Sequence, residues 1–329
     1  MLSGNVKKRV AVFLLFALCA GVCPEAKEGK AAEPVSSDYT WYDDDELILP
    51  VYLSDKKEWM DEKGFVYYFD DTKKTAEITR IKLSYYLGDE GGCFDHAPGD
   101  IVLRPPDKVI CNGETYVVTS LSIIGDVSKV VRIHLYIGKY ITWVALYSLD
   151  IKVTSYVHYA NKKYVSDRGS LFTADRKELC RFCDETYGAD ETYVVPKSVQ
   201  TIGQWAFFRA EIEEVRLNDN ITWIYPYAFQ DSYIHRIDLD QVEIVGDGAF
   251  SECPFLEEVT FGKENVKLGI GAFSNTPALK NVYIPDWCTI GKRAFESSGI
   301  ETLIMGKGVQ MDAGDDLVDG GITWESAII

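Results

Sequence analysis

Basic charge is what this sequence has too little of. Its 329 residues carry 34 Lys and Arg against 51 Asp and Glu, a formal net charge of −17. A deficit of that sign repels phosphate backbones and anionic membrane surfaces, so nucleic acid is not an expected partner. Histidine is scarce as well. His96, His134, His158 and His235 stand in no triad-like setting, and no serine lies in a nucleophile-elbow phrase. Long apolar runs are missing: the run Val10–Val22 falls short of the ~20 residues a membrane-spanning helix needs, and no other segment approaches that length. The eight cysteines have no even spacing, so they do not read as the disulfide framework of a small scaffold.

What is present at the start is an export signal. Lys7, Lys8 and Arg9 precede the apolar run, and small residues recur from Val22 to Ala32, which predicts a signal peptide over 1–32 with cleavage between 22 and 32. A lipoprotein alternative would acylate Cys23, but Val22 sits where a small residue is wanted and Ala20 where Leu is usual. No wall-sorting motif or hydrophobic tail is found near the C-terminus. The expected location is secreted or cell surface, with no membrane insertion once the signal is removed. Removal of 1–32 takes away five basic and two acidic residues and leaves a net −20. Six cysteines then remain (Cys93, Cys111, Cys180, Cys183, Cys253 and Cys288), expected to be mostly free thiols.

The dominant feature is a phrase said five times: TIGQWAFF, WIYPYAFQ, IVGDGAFS, KLGIGAFS and TIGKRAFE. Their phenylalanines, Phe207, Phe229, Phe250, Phe273 and Phe295, recur at intervals of about 22 residues, a period that marks a stacked repeat architecture. Before each phrase comes a hexad (IEEVRL, IHRIDL, LEEVTF, LKNVYI, IETLIM) whose apolar positions alternate, as in a half-buried strand. Stacked coils would pair these strands in parallel about 4.8 Å apart. Ile202, Ile224, Val245, Leu268 and Ile290 form an aliphatic column beside the phenylalanines. A small column follows at Ala210, Ser232, Cys253, Thr276 and Ser298, where Cys253 is filler. Gly203, Gly246, Gly269 and Gly291 follow the aliphatic residue, but the equivalent Tyr225 precedes Pro226 and is pushed toward extended geometry. Close backbone approach, rather than positive φ, therefore explains the glycines.

Weaker coils extend upstream. ITWVALYSL (Ile141–Leu149) aligns without gaps on ITWIYPYAF (Ile221–Phe229), and Leu121 lies one such period before Val144. A further coil is placed on Ser170–Phe172, which makes the interval from Phe172 to Phe207 swell well beyond one period. Phe65–Phe69 and Thr75–Ile81 around DDTKK read as a hairpin with an Asp-rich turn. The expected organisation is 1–32 signal, 33–63 acidic linker or lead-in, 64–115 hairpin cap and irregular lead-in, 116–311 solenoid with an insertion near 175–192, and 312–329 a degenerate polar cap.

Together the hexad and I-G-x-x-A-F resemble the BspA-type leucine-rich repeats of bacterial surface proteins. The resemblance includes Tyr193–Gly203 and Ser170–Leu179 and covers roughly 64–311. It implies a leucine-rich-repeat solenoid with one short parallel strand per coil of about 22–23 residues, irregular or short helical turns opposite, and an N-terminal hairpin cap. It also implies a secreted or surface-displayed protein that binds other proteins, some relatives being adhesins for host matrix proteins. The Ala-Phe pair is lost before Phe207, and fold alone does not confer function.

Catalytic, metal and cofactor sites are not expected. Cys180-Arg-Phe-Cys183 lacks the two further ligands a zinc site needs, and Cys93, His96 and Cys111 form an incomplete set. Two sets of outward residues are the ligand-binding candidates. One is the strand ribbon, with Arg216, Arg236, Asp238, Glu258, Thr260, Tyr283 and Ile304. Charge pairing between neighbouring strands would account for its charges but not for Tyr283 and Ile304. The other set is aromatic: Trp205, Trp223 and Tyr227, residue types enriched at binding hot spots. The function expected is non-catalytic binding to an extracellular protein or glycan. The alternative is a structural or assembly module of a surface layer without a discriminating ligand face.

Overall fold

The computed structural model of the protein describes residues 51–53, 58–61, 63–81, 100–123, 132–146, 152–183 and 192–311, all within the compact unit Trp41–Ile329. The signal at 1–32, most of the linker, Cys93 and His96, Ser148-Leu149 and the cap at 312–329 lie outside the described residues. Among the described residues there are twenty-five strands and no helix.

The chain begins with β1 (Val51–Leu53), β2 (Glu58–Met60), β3 (Phe65–Asp70) and β4 (Thr75–Ile81), each antiparallel to the one before. The Asp-rich turn predicted from DDTKK closes β3–β4: the Asp70 carboxylate accepts the N–H groups of Thr72 and Lys73, each at 3.0 Å. At the preceding turn the buried Asp61 accepts the N–H groups of Lys63 and Phe65 and the Tyr67 hydroxyl. Burial raises its carboxyl above the usual range, against the pull of those hydrogen bonds.

Next come β5 (Asp100–Leu103), β6 (Lys108–Cys111), β7 (Glu114–Ser122), β8 (Arg132–Ile137), β9 (Trp143–Ala145) and β10 (Lys152–Val157). Here two parallel ladders separate. β5, β8 and β10 pair in register, Asp100 beside Arg132 beside Lys152. On the other side β4 pairs β7 and β7 pairs β9, with Leu121 opposite Val144 as the repeat spacing predicts. Then β11 (Tyr164–Asp167), β12 (Ser170–Thr173) and β13 (Glu178–Arg181) follow, each antiparallel to the one before, until the parallel order resumes.

From there every coil supplies two strands. The first ladder is β14 (Thr192–Val194), β16 (Glu214–Arg216), β18 (Arg236–Asp238) and β20 (Glu258–Thr260), continued by the pair β22 (Asn281–Ile284) and β24 (Thr302–Met305). The second runs from β13 through β15 (Thr201–Ile202), β17 (Trp223–Ile224), β19 (Ile244–Val245), β21 (Lys267–Leu268) and β23 (Thr289–Ile290) to β25 (Gln310–Met311). The solenoid and the hexad strands are as expected; the second strand per coil is an addition. Pairing that short leaves no alternating run to be read from sequence.

The glycines belong to that second ladder. The N–H groups of Gly246, Gly269 and Gly291 donate to Ile224 O, Val245 O and Leu268 O, each at 2.8 Å. A Cβ on Gly246 would stand 2.5 Å from Pro226 N, and one on Gly291 would stand 2.6 Å from Gly269 C. Close approach is thus the reason for these glycines, and positive φ falls elsewhere. It recurs at the residue before each Ala-Phe pair (Trp205, Tyr227, Gly248, Gly271, Arg293) and two positions after each Phe (Arg209, Asp231, Glu252, Asn275, Ser297), with φ between 54° and 60°.

Those left-handed residues let the chain turn repeatedly without forming a helix. Within a coil, N–H groups alternate: Ala206 donates back to Gly203 O and Phe208 to Trp205 O, whereas Phe207 donates across to Ala228 O of the next coil. The cross-coil bond repeats at Phe229 to Ala249, Phe250 to Ala272 and Phe273 to Ala294, at 2.7–2.8 Å. Alanine at this position is fully buried and small enough to admit the neighbouring coil. Inside, the rings of Phe207, Phe229, Phe250, Phe273 and Phe295 stack with centroids 4.5–5.5 Å apart and planes within 12°. Each is at most 1% exposed, so each contributes the full burial of a large apolar side chain, about 1.5–3 kcal/mol.

One rung differs from the sequence reading. The ring below Phe207 is Phe182 of the CRFC segment, 4.8 Å away, and its N–H donates to Ala206 O. Phe172 instead sits in β12, buried within the antiparallel excursion. Leu179 pairs Ile202, so the register interval is one regular period, and the count from Phe172 is misplaced. Residues 184–191 lie outside the described residues.

Candidate functional site

The first ladder sets the ribbon. Inward Val215, Ile237, Val259, Val282 and Leu303 enter the core, which turns the residues on either side of each outward. Register joins Glu214 to Arg236 and Arg236 to Glu258, then Asp238 to Thr260, and Tyr283 to Ile304. Arg216, Arg236, Asp238, Glu258, Thr260, Tyr283 and Ile304 are all exposed.

The ribbon's charges are only partly paired. Arg216 binds Glu214 of its own strand at 2.8 Å, and Thr192 also donates to that carboxylate at 2.9 Å. These contacts, the arginine first, hold Glu214 below the usual range. Arg236 reaches Glu214 only at 3.9 Å, and no ion pair forms between Arg236 and Glu258 despite their shared register. Asp240 follows the strand, and burial first, then the charge of Asp238, raises its carboxyl. The last two strands carry no charge in their outward positions: Asn281 faces Thr302, and Tyr283, 54% exposed, faces Ile304, 37% exposed.

The aromatic candidates lie on the other side of the coils. Trp205 and Tyr227 occupy the left-handed position before Ala-Phe, stack at 5.6 Å and 15°, and end against Gly248, where a Cβ would meet the Tyr227 ring at 2.6 Å. Trp223 stands on the second ladder, 4.5 Å from Tyr225. The candidates thus fall into two separate groups, one on each ladder's side.

Sequence reasoning passes over three features. Tyr225, already placed in the otherwise glycine column, packs its ring on Trp223, a contact that the spacing does not signal. Tyr233 and Phe255, exposed and 5.3 Å apart, precede hexads where the equivalents are Glu211, Ala278 and Gly299; His235 stacks on Phe255 at 5.7 Å. Trp143, exposed on β9, is the equivalent of Trp223, a signal already contained in the alignment of ITWVALYSL with ITWIYPYAF.

The five described cysteines are free. Burial pushes the thiols of Cys180 and Cys253 up to about 12. Cys253 fills the small column as expected, its Sγ 3.4 Å from Ser232 Oγ, and Cys183 lies 3.6 Å from Thr154 Oγ1. Among the described residues, no cluster of three His, Cys, Asp or Glu side chains is placed to hold a metal ion.

Residues 188–301 match the BspA type leucine rich repeat region, in six copies. No curated protein matches the chain. Among solved structures, a leucine-rich repeat protein from Eubacterium ventriosum is 13% identical with a TM-score of 0.46, the match covering 65% of this chain and 73% of that one. The pneumococcal vaccine antigen PcpA is 19% identical with a TM-score of 0.37, covering 59% of this chain and 48% of that one. A leucine-rich cell surface protein from Faecalibacterium prausnitzii is 16% identical with a TM-score of 0.36, covering 78% of this chain and 76% of that one. With the stacked coils, the cross-coil Ala-Phe bonds and this match in hand, residues 188–301 are a BspA-type leucine-rich repeat region.

Proposed function

We propose that this is a secreted or cell-surface repeat protein that binds an extracellular protein or glycan without catalysis, and that the outward ribbon of the first ladder is its principal contact face. The carrying observation is the exposed Tyr283–Ile304 pair, on the same outward face as an Arg236 two coils away that is not closed into a tight ion pair. A ribbon serving stability alone would show cross-strand charge pairs. The contacts of that kind among the described residues, Arg236 to Glu214 at 3.9 Å and Lys280 to Glu301 at 3.6 Å just ahead of the last two strands, are long, and exposed pairs contribute about 0–1 kcal/mol. An aromatic and an aliphatic side chain facing solvent in register offer what a partner would cover. The family match supports surface display, and the charged leader supports export.

The test is capture of soluble protein lacking residues 1–32 on immobilised extracellular-matrix proteins and glycans. The double variant Tyr283→Ala, Arg236→Ala is expected to weaken capture at least about tenfold at an unchanged melting temperature. Undiminished capture would move the contact face elsewhere. Failure to capture any of them would favour a spacer or assembly role.

A further inference from the structure

The second ladder is interrupted once. β9 is the last strand of one sheet and β11 the first of the next, because the chain makes the antiparallel excursion β11–β12–β13 before parallel stacking resumes. Across the break the Tyr164 hydroxyl accepts the Val144 N–H at 3.3 Å, and in the turns ahead of the two strands the Asn161 side-chain amide donates to Ile141 O at 2.9 Å. The gap is a cleft of about 280 Å³.

Its walls combine two chemistries. Trp143, 46% exposed, enters from β9, and Trp205 enters from the turn after β15. Arg181, buried at the base, donates to Trp205 O at 3.0 Å and so fixes the backbone that carries that indole. Lys163, Glu178 and Gln204 line the same cleft. The Glu178 carboxylate is half-buried yet accepts no hydrogen bond and closes no ion pair with any described residue. Its burial raises its carboxyl above the usual range, which the charge of Lys163 partly offsets. The Gln204 amide and the Lys163 ammonium are equally uncommitted to other described residues.

We propose that this cleft is a saccharide subsite: a neutral pyranose ring lies against the indoles of Trp143 and Trp205, with vicinal hydroxyls bonded to Glu178, Gln204 and Lys163. The C–H faces of a sugar ring suit an aromatic wall, and adjacent hydroxyls each offer a donor and an acceptor to a carboxylate or amide. A wholly apolar ligand would leave the carboxylate and ammonium desolvated and unmatched. An acidic glycan would meet Glu178 and a chain of net charge −17. The volume is small beside the roughly 300–1,000 Å³ of sites for drug-sized ligands, and fits about one or two sugar rings of a longer chain. The site is distinct from the ribbon, and the outcome at one does not decide the other.

The test is titration of the protein with maltohexaose, cellohexaose, xylohexaose and chitohexaose, followed by intrinsic tryptophan fluorescence and calorimetry. At least one is expected to bind saturably. Trp143→Ala is expected to weaken it at least about tenfold and Gln204→Ala several-fold, with melting temperature unchanged, while the ribbon variant Tyr283→Ala, Arg236→Ala binds as before. Gln204 is exposed on a turn, so its variant keeps the test decisive if Trp143→Ala fails to fold. The proposal is overturned if none of the four binds at about 10 mM, weaker than any specific site here should be. It is overturned equally if binding survives the Trp143 and Gln204 substitutions unchanged.

Discussion

A phenylalanine every coil is worth more than its own burial, because each ring is also the floor of the next. Phe250 lies between Phe229 at 4.9 Å and Phe273 at 5.1 Å, fully buried. Phe250→Ala should therefore cost about 3–5 kcal/mol in denaturant unfolding, as core phenylalanine truncations do. Glu258→Ala, on the exposed ribbon, should stay within about 0.5 kcal/mol. Equal small losses would contradict the burial assignment. Glycine shows the same discrimination. Gly246→Ala would press its Cβ against the Pro226 backbone and should cost about 3 kcal/mol, the upper end for overpacking. Gly271→Ala meets nothing nearer than Ser274 Oγ at 3.2 Å and only a left-handed φ, for about 1 kcal/mol. Thermal or chemical unfolding of the two variants should rank them in that order.

At the scale of the element, what is legible in sequence is what repeats over a long enough run. The hexads alternate throughout and the Ala-Phe pair recurs five times, so the first ladder, the ring stack and the outward columns follow directly. The second ladder does not, because Thr201–Ile202 and its equivalents are only a dipeptide long and their pairing is carried by backbone, with the glycine N–H as the third bond. Phe182 escapes notice because the step from Leu179 to Phe182 is shorter than the step from Ile202 to Phe207, and Arg181 replaces the alanine that marks the other coils. The cleft is illegible for a different reason: it arises where a ladder fails to continue, and its walls come from residues far apart in sequence. The Ala-Phe turns carry an element-level expectation of their own. The amides of Phe229, Phe250 and Phe273 donate between coils inside the core and should be among the slowest to exchange with deuterium, while Thr72 and Lys73, on an exposed turn and bonded only to the Asp70 side chain, should exchange early. Fast exchange at the phenylalanine amides would break the cross-coil assignment.

Across the whole molecule, alkaline pH should be the weak side. The thiols of Cys180 and Cys253 are raised by burial from 9.0 to about 12, and those of Cys111 and Cys288 are raised in the same direction. Below pH 9 these groups are protonated in both the folded and the unfolded chain and make no pH-dependent contribution. Above 9 the unfolded chain loses those protons while the folded one keeps them, so stability falls as pH rises from 9 toward 12. A melting temperature flat over that range would contradict the buried placement of the thiols. The proposed ribbon depends on a single arrangement, coils stacked in register so that equivalent outward residues advance by one strand spacing each. Pulsed electron spin resonance between nitroxides at positions 216 and 304, introduced through an encoded handle that leaves the cysteines untouched, measures that advance directly. Four coils at about 4.8 Å each predict a narrow distribution near 20 Å; a mean beyond about 35 Å, or a distribution without a peak, would contradict the stacked solenoid.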